Sequence, residues 1–209
     1  MNLIFEKLEQ MRIVPVIVIN DVSKAAPLAK ALCDGGLPCA EVTFRTAGAA
    51  DAIRAMTQAA PEMLVGAGTV LTPAQADEAI AAGAKFIVAP GLNPDVVRHC
   101  QEKNVPMLPG ICTPSEIEQG LSLGLSVLKF FPAEAAGGAN MLKALSAPYN
   151  KVKFMPTGGL TPANLSSYLS IKSVLACGGS WMVKDELINA GDFDKITELT
   201  KEAVALAKR

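Results

Sequence analysis

Three stretches of the chain follow one plan: TPAQADEAIAAGAKFIVAPG (72–91), TPSEIEQGLSLGLSVLKFFP (113–132) and TPANLSSYLSIKSVLACGGS (161–180). Each begins with a threonine suited to cap a helix and a proline suited to the first helical position. Each continues with a short helical pattern, a break, and an apolar or β-branched strand that ends at proline or glycine. This alternation of helix and strand predicts a parallel β-sheet with helices packed against it.

The same alternation runs along the whole chain and gives eight predicted strands. They are IVPVIVI (13–19), CAEVTF (39–44), MLVGAG (63–68), KFIVAP (85–90), VPMLPG (105–110), SVLKFF (126–131), KFMPTG (153–158) and SVLACG (173–178). Helical patterns separate the strands, and an amphipathic helix with Leu3, Ile4 and Leu8 on one side precedes them. The pattern predicts an α/β fold, a (β/α)8 TIM barrel with an additional N-terminal helix, formed by one domain over residues 1–209. A doubly wound open sheet is the alternative.

Composition narrows the class of protein. Half of the 209 residues are hydrophobic, 19% are charged and the net charge is −1, so a large core is expected and a nucleic-acid footprint is not. No apolar run reaches membrane-spanning length, and the first residues lack the pattern of a signal peptide. Five cysteines without a CxxC spacing favour a reducing environment. We therefore expect a cytoplasmic protein that binds neither nucleic acid nor a membrane.

One lysine occupies an unusual place in this plan. Lys129, in SVLKFFPAE (126–134), stands among apolar neighbours near the C-terminal end of the sixth strand, where barrel active sites lie. The residues sixteen positions after the three threonines are Val88, Lys129 and Cys177, so one of three equivalent places holds an amine. Apolar surroundings disfavour the charged form of a lysine, and a neutral lysine attacks ketones to form a Schiff base. The alternative is a lysine that only reaches solvent at the barrel mouth.

CAEVTFRT (39–46) supplies a proton-transfer group for such chemistry. Glu41, Thr43 and Arg45 share one face of the second strand because side chains alternate along a strand. Glu41 is a candidate to move protons, and Arg45, at the strand tip, is a candidate to bind a carboxylate with its planar guanidinium. The alternative is a structural ion pair of Glu41 with Arg45 or with Lys129.

Glycine-rich ends of three strands suggest close approach of the backbone to a ligand. VGAGTVLTP follows the third strand and carries Thr69, and Gly158–Gly159 follows the seventh. Gly178, Gly179 and Ser180 follow the eighth and are predicted to open a short helix. Loops after strands 7 and 8 are the recurrent phosphate site of barrels. Ordinary tight turns are the alternative explanation of these glycines.

Seven segments, taken together and in this order, resemble a known family: EVTFRT, GAGTVLTP, FIVAPG, PGICTPSE, LKFFPAE, PTGGL and CGGSW. The family is that of the 2-keto-3-deoxy-6-phosphogluconate aldolases, whose members often also act on 4-hydroxy-2-oxoglutarate. The resemblance implies a homotrimeric (β/α)8 barrel and a class I aldolase. Its expected reaction is the cleavage of 2-dehydro-3-deoxy-6-phosphogluconate to pyruvate and glyceraldehyde 3-phosphate, a step of the Entner–Doudoroff pathway.

The resemblance also implies roles for ten residues and no cofactor. Lys129 matches the Schiff-base lysine and Glu41 matches the general acid–base. The residues implied in substrate binding are Arg45 and Thr69 at the pyruvate carboxylate, Pro90 and Phe131 along the pocket, and Gly158, Gly159, Gly179 and Ser180 at the phosphate.

Three other functions compete with this hypothesis. A metal-dependent aldolase with histidine ligands is hard to build because His99 is the only histidine, and we expect it at the surface. A sugar-phosphate-binding barrel without catalysis would use the lysine only to pair with an anion. An aldolase for the phosphogalactonate derivative differs only in stereochemistry at C4. Cys112 and Cys177 lack a histidine base, and we expect them to serve in packing.

Overall fold

The computed structural model describes residues 2–208, which form nine β-strands and ten α-helices. The strands are β1 (Ile13–Ile17), β2 (Cys39–Thr43), β3 (Leu64–Gly68), β4 (Ile87–Val88), β5 (Met107–Leu108), β6 (Gly110–Ile111), β7 (Val127–Phe130), β8 (Lys153–Pro156) and β9 (Cys177–Gly179). The helices are α1 (Leu3–Met11), α2 (Ala25–Asp34), α3 (Ala49–Ala59), α4 (Pro73–Ala81), α5 (Pro94–Glu102), α6 (Pro114–Ser122), α7 (Gly138–Ser146), α8 (Leu165–Leu169), α9 (Asp185–Ala190) and α10 (Phe193–Ala207).

The strands form two parallel sheets. The first has the order β5-β4-β3-β2-β1-β9 and the second has the order β6-β7-β8. Two isolated bridges, Phe154 to Val174 and Thr157 to Gly178, connect the β8 segment with the β9 segment. The α/β class and the parallel, curled sheet agree with the prediction from the sequence. The hydrogen-bonded ladders differ from the predicted single ring of eight strands, because they form one sheet of six strands and a second sheet of three.

A proline marks the place where the first sheet passes into the second. The predicted fifth strand (105–110) becomes β5 and β6, of which β5 pairs with β4 and β6 pairs with β7. Pro109, between them, has no N–H to donate to a ladder. Its carbonyl instead accepts the Lys129 N–H at 2.9 Å. The ladder is therefore interrupted at Pro109, and the chain on either side of it joins a different sheet.

Two of the three Thr-Pro units begin helices as predicted. Thr72 caps α4 and Thr113 caps α6. In α6 the Glu116 carboxylate also accepts a hydrogen bond from the Thr113 N–H, which completes a capping box. The third unit differs, since α8 begins only at Leu165. There Asn164 reaches back to accept the Thr161 N–H at 2.8 Å. The Asn164 N–H also donates to the Thr161 carbonyl, so a turn from Thr161 to Asn164 precedes the helix.

The N-terminal helix was predicted to present Leu3, Ile4 and Leu8 on one side. Leu8 is fully buried and Ile4 packs partly against the core, whereas Leu3 is exposed in the first helical turn. The amphipathic prediction therefore holds for Ile4 and Leu8 but not for Leu3. No helix within residues 2–208 has the length and apolar composition needed to cross a membrane.

Close packing at one glycine gives a test of this core. Gly66 in β3 lies against the buried ring of Phe86, and a Cβ on Gly66 would lie 2.3 Å from Phe86 Cζ. We expect Gly66→Ala to lower the free energy of unfolding by about 1–3 kcal/mol, because the core has to shift to admit the methyl group.

The matched control is Gly91→Ala, since no atom lies within 4 Å of a Cβ at Gly91. Its free energy of unfolding should stay within about 0.5 kcal/mol of the unchanged chain. Urea denaturation compares the two variants, and equal stability would contradict the close packing at Gly66.

Candidate active site

Two charged side chains meet in the core. Among residues 2–208, Glu41 and Lys129 are the only charged residues that are buried. Lys129 Nζ donates to Glu41 Oε1 at 3.2 Å, and their side chains are 6% and 0% exposed. Removing a charge from water is costly, and breaking such a pair leaves a buried charge uncompensated. The structure thus selects Lys129, and not Arg45, as the partner of Glu41.

A glycine on the neighbouring strand makes room for Glu41. Gly68 lies in β3 beside β2, and a Cβ on Gly68 would lie 2.2 Å from Glu41 Oε1. Any side chain at this position would displace the carboxylate. The second oxygen, Glu41 Oε2, is buried and has no hydrogen-bond partner in the described protein. Since an orphaned buried acceptor is costly, this oxygen is a candidate to receive a proton from a ligand.

Lys129 lies on β7 between β6 and β8, opposite Gly110 and Met155. Pro90 is close to this place, because a Cβ on Gly110 would lie 2.0 Å from the Pro90 carbonyl oxygen. Lys129 Nζ also lies over the Phe131 ring, 5.3 Å from its centre. Pro90 and Phe131 are thus near the lysine.

An open pocket of about 330 Å³ brings together six of the predicted residues: Arg45, Phe131, Gly158, Gly159, Gly179 and Ser180. The other four, Glu41, Lys129, Thr69 and Pro90, are not in its lining. Phe131 connects the two regions, because it lines the pocket and its ring faces Lys129. The site therefore has a buried pair, Lys129 and Glu41, and next to it a recess that includes glycines.

The recess is shaped by its glycine backbone. Gly158 and Gly159 have φ of 102° and 79°, in the left-handed region that favours glycine. A Cβ on Gly179 would lie 2.0 Å from Trp181 Cζ3. Backbone conformation at Gly158 and Gly159, and packing at Gly179, therefore require glycine even without a ligand. The predicted helix directly after Ser180 is wrong: Val183 N–H closes a turn on the Ser180 carbonyl, and α9 begins only at Asp185 because Lys184 is extended.

Thr69 lies one residue beyond Gly68, the glycine that faces Glu41. Its φ of 57° is left-handed, a conformation that is unusual for a β-branched residue and costs conformational energy. Such strain occurs most often where a ligand-binding geometry requires it. This geometry places Thr69 at the end of β3, on the side of the sheet ends where the predicted site residues lie.

Five residues of the pocket lining were missed by the sequence reasoning: Val16, Val18, Thr157, Leu160 and Asp185. Thr157 is the most informative, because its hydroxyl is buried and has no hydrogen-bond partner in the described protein. A Cβ on Gly178 would lie 2.3 Å from Thr157 Oγ1. Its position between an apolar strand and Gly158–Gly159 was the available signal in the sequence.

Two cysteines and one histidine belong to the alternatives of a cysteine nucleophile and a metal site. Burial raises the pKa of the Cys177 thiol to about 12, so the thiol stays protonated at neutral pH, and Cys112 is half-buried. His99 lies on α5 with Nε2 2.9 Å from Asp77 Oδ1, outside the pocket. Within residues 2–208, no three His, Cys, Asp or Glu side chains lie close enough together to hold a metal ion.

Comparison with known proteins places this geometry in a family. A family model for KDPG and KHG aldolase matches residues 4–199. The 2-dehydro-3-deoxy-phosphogluconate aldolase of Treponema pallidum is 52% identical over 203 residues, which are 97% of this chain and 97% of the relative. The KHG/KDPG aldolase of Escherichia coli is 50% identical over 196 residues, which are 94% and 92% of the two chains.

Two solved structures have the same fold. The KDPG aldolase of Legionella pneumophila, with pyruvate captured as a covalent carbinolamine intermediate, has a TM-score of 0.91 and 41% identity over 95% of this chain and 97% of its own. The 2-keto-3-deoxy-6-phosphogluconate aldolase of Zymomonas mobilis with 3-phosphoglycerate has a TM-score of 0.90 and 42% identity over 97% and 95%. With the family model matching nearly its full length, this chain belongs to the KDPG and KHG aldolase family.

Proposed function

We propose that the chain is a class I aldolase that cleaves 2-dehydro-3-deoxy-6-phosphogluconate to pyruvate and glyceraldehyde 3-phosphate and also acts on 4-hydroxy-2-oxoglutarate. The observation that carries this proposal is the buried contact between Lys129 Nζ and Glu41 Oε1. An amine and a carboxylate in one apolar site supply the nucleophile and the proton-transfer group that the reaction requires. The carbinolamine of pyruvate in the Legionella relative supports the same chemistry.

The reaction begins at Lys129. The neutral amine adds to the C2 ketone, the resulting carbinolamine loses water with a proton supplied through Glu41, and a cationic iminium forms. Glu41 then accepts the proton of the C4 hydroxyl as the C3–C4 bond breaks and its electron pair moves toward the iminium. Glyceraldehyde 3-phosphate leaves. The enamine takes a proton at C3, and water hydrolyses the iminium to release pyruvate and free Lys129.

Glu41 Oε2 suits the proton-transfer role. Oε1 accepts from Lys129, whereas Oε2 is buried without a partner in the described protein. A hydroxyl group of the substrate, or one water between them, would satisfy this acceptor. Proton transfer through a positioned group contributes about 10²- to 10⁴-fold to a rate.

The remaining predicted residues hold the substrate. Arg45 lines the pocket and binds the pyruvate carboxylate with its planar guanidinium, assisted by the hydroxyl of Thr69. Pro90 and Phe131 form apolar walls beside Lys129.

The phosphate binds in the glycine-lined part of the pocket. Gly158, Gly159, Gly179 and Ser180 line it and lie after β8 and at the end of β9, where barrels commonly bind phosphate. The donors there are backbone N–H groups of turns and the Ser180 hydroxyl, since no helix starts directly after Ser180. The phosphorylated ligand of the Zymomonas relative supports a phosphate-binding role for the family site.

We also propose the finer architecture. The bridges from Phe154 to Val174 and from Thr157 to Gly178 favour closure of the two sheets into one (β/α)8 barrel, formed by a single domain over residues 1–209. A homotrimer follows from the family resemblance, and the exposed Leu121 on α6 is an apolar side chain available for a subunit contact. The place of action is the cytoplasm, in the Entner–Doudoroff pathway.

Lys129 provides the first test of the function. We expect Lys129→Ala to lower kcat by roughly 10⁴-fold or more, because the covalent intermediate cannot form without the amine. Borohydride added with pyruvate should give a stable pyruvate adduct on the peptide that contains Lys129, measured by mass spectrometry.

Lys153→Ala is the matched control, because Lys153 also lies on a strand and pairs with a glutamate, Glu9, at 3.0 Å. It should retain activity and the adduct. A sugar-phosphate-binding barrel would form no adduct, and a metal-dependent aldolase would lose activity with a chelator. Turnover in Lys129→Ala close to that of the unchanged chain would exclude the proposed chemistry.

Glu41 provides the second test. Glu41→Gln keeps an oxygen acceptor for Lys129 and the shape of the side chain, but it cannot carry a proton in the same way. We expect kcat to fall by about 10²- to 10⁴-fold while KM changes far less. Glu9→Gln is the control, since Glu9 is partly exposed and pairs with Lys153. An effect of Glu41→Gln on KM alone would argue against proton transfer.

A further inference from the structure

Two segments beside the pocket, the turn after β7 and the loop after β8, are hydrogen-bonded to each other. The turn after β7 donates two backbone hydrogen bonds to the loop after β8: Ala133 N–H to the Thr157 carbonyl at 2.8 Å, and Glu134 N–H to the Gly158 carbonyl at 3.1 Å. Phe131, at the start of the same turn, packs near Gly158, because a Cβ there would lie 3.4 Å from its ring. The position of the glycine loop therefore depends on this turn.

The Glu134 side chain packs against the loop after β8 at Gly159. A Cβ on Gly159 would lie 2.7 Å from Glu134 Cβ and 2.8 Å from Glu134 Cγ. Gly159 thus contacts the Glu134 side chain and also lines the pocket proposed for the phosphate. A carboxylate directed toward this part of the pocket would repel a phosphate bound there.

Tyr168 determines where the carboxylate points. Tyr168, in α8, is fully buried, and its hydroxyl donates to Glu134 Oε1. Glu134 belongs to an exposed turn, so other rotamers are open to it without this bond. Burial raises the pKa of the Tyr168 phenol, and the bond to Glu134 raises it further. The hydroxyl therefore keeps its proton and remains a donor at neutral pH.

We propose that Tyr168, acting through Glu134, is a positioning residue that selects for phosphorylated ketoacids. The inference rests on the proposed function, because it assumes a phosphate beside Gly158 and Gly159. Tyr168 holds the Glu134 carboxylate on the far side of Gly159 and so keeps an anion away from the phosphate. The reacting end of the substrate, at Lys129 and Glu41, does not depend on this bond.

The test compares two substrates of one enzyme. In Tyr168→Phe, we expect KM for 2-dehydro-3-deoxy-6-phosphogluconate to rise about tenfold, because the released Glu134 carboxylate can turn toward the phosphate and repel it. For 4-hydroxy-2-oxoglutarate, which has no phosphate, kcat/KM should change less than about twofold. Adding Glu134→Gln to Tyr168→Phe should restore most of the loss, because the repelling charge is gone.

Tyr149→Phe is the matched control. Tyr149 is the other of the two tyrosines, and its hydroxyl donates to Glu118 Oε1 at 3.0 Å in an exposed position. The same chemical change there should alter neither substrate. A loss in Tyr168→Phe that is equal for both substrates, or no loss for either, contradicts the inference and leaves the proposed function standing. An unchanged chain that cleaves neither ketoacid contradicts the proposed function itself.

Glu134→Gln alone keeps the test decisive if Tyr168→Phe does not fold. Its amide oxygen still accepts from Tyr168, and it removes the charge. We expect KM for the phosphorylated ketoacid to stay the same or to fall. A rise of about tenfold or more would show that the carboxylate serves phosphate binding directly, and would overturn the inference.

Discussion

Lys129 Nζ and Glu41 Oε1 lie 3.2 Å apart in a core whose other buried residues, within 2–208, are apolar or carry only a hydroxyl group. A contact of this kind is a poor way to stabilise a protein, because desolvating both charges costs about as much as their attraction returns. It is a good way to hold an amine and a carboxylate in one geometry. The surrounding strands serve that geometry: β3 offers Gly68 beside the carboxylate, and β6 offers Gly110 beside the lysine.

The groups proposed for the reaction and those proposed for phosphate binding are of different kinds. The groups proposed to react, Glu41 and Lys129, are side chains of the buried strands β2 and β7. The lining of the recess next to them includes four glycines, of which Gly158 and Gly159 have left-handed conformations. Phe131 belongs to both regions, since it lines the recess and the centre of its ring lies 5.3 Å from Lys129 Nζ.

The sequence predicts the elements better than their connections. Each of the eight predicted strand segments contains part of a strand or ladder contact, because apolar runs between helix caps are a local signal. The division of the fifth strand was visible only as Pro109, whose effect depends on which neighbours its flanking residues pair with. The third Thr-Pro unit differs because the Asn164 N–H donates to the Thr161 carbonyl in a turn, and α8 begins only at Leu165. The sequence could not decide whether Glu41 pairs with Arg45 or with Lys129, because Arg45 is close to Glu41 in the sequence and Lys129 approaches it only in the folded sheet. Thr157 was missed because a threonine next to two glycines is also typical of an ordinary turn.

A crystal structure of the protein soaked with pyruvate tests the central claim most directly. Continuous density between Lys129 Nζ and C2 of pyruvate is expected, with the carboxylate at Arg45 and Thr69 and with Glu41 within hydrogen-bond distance of the new bond. Pyruvate bound elsewhere, with Lys129 Nζ still donating to Glu41 and unmodified, would contradict the assignment of this buried pair as the reactive centre.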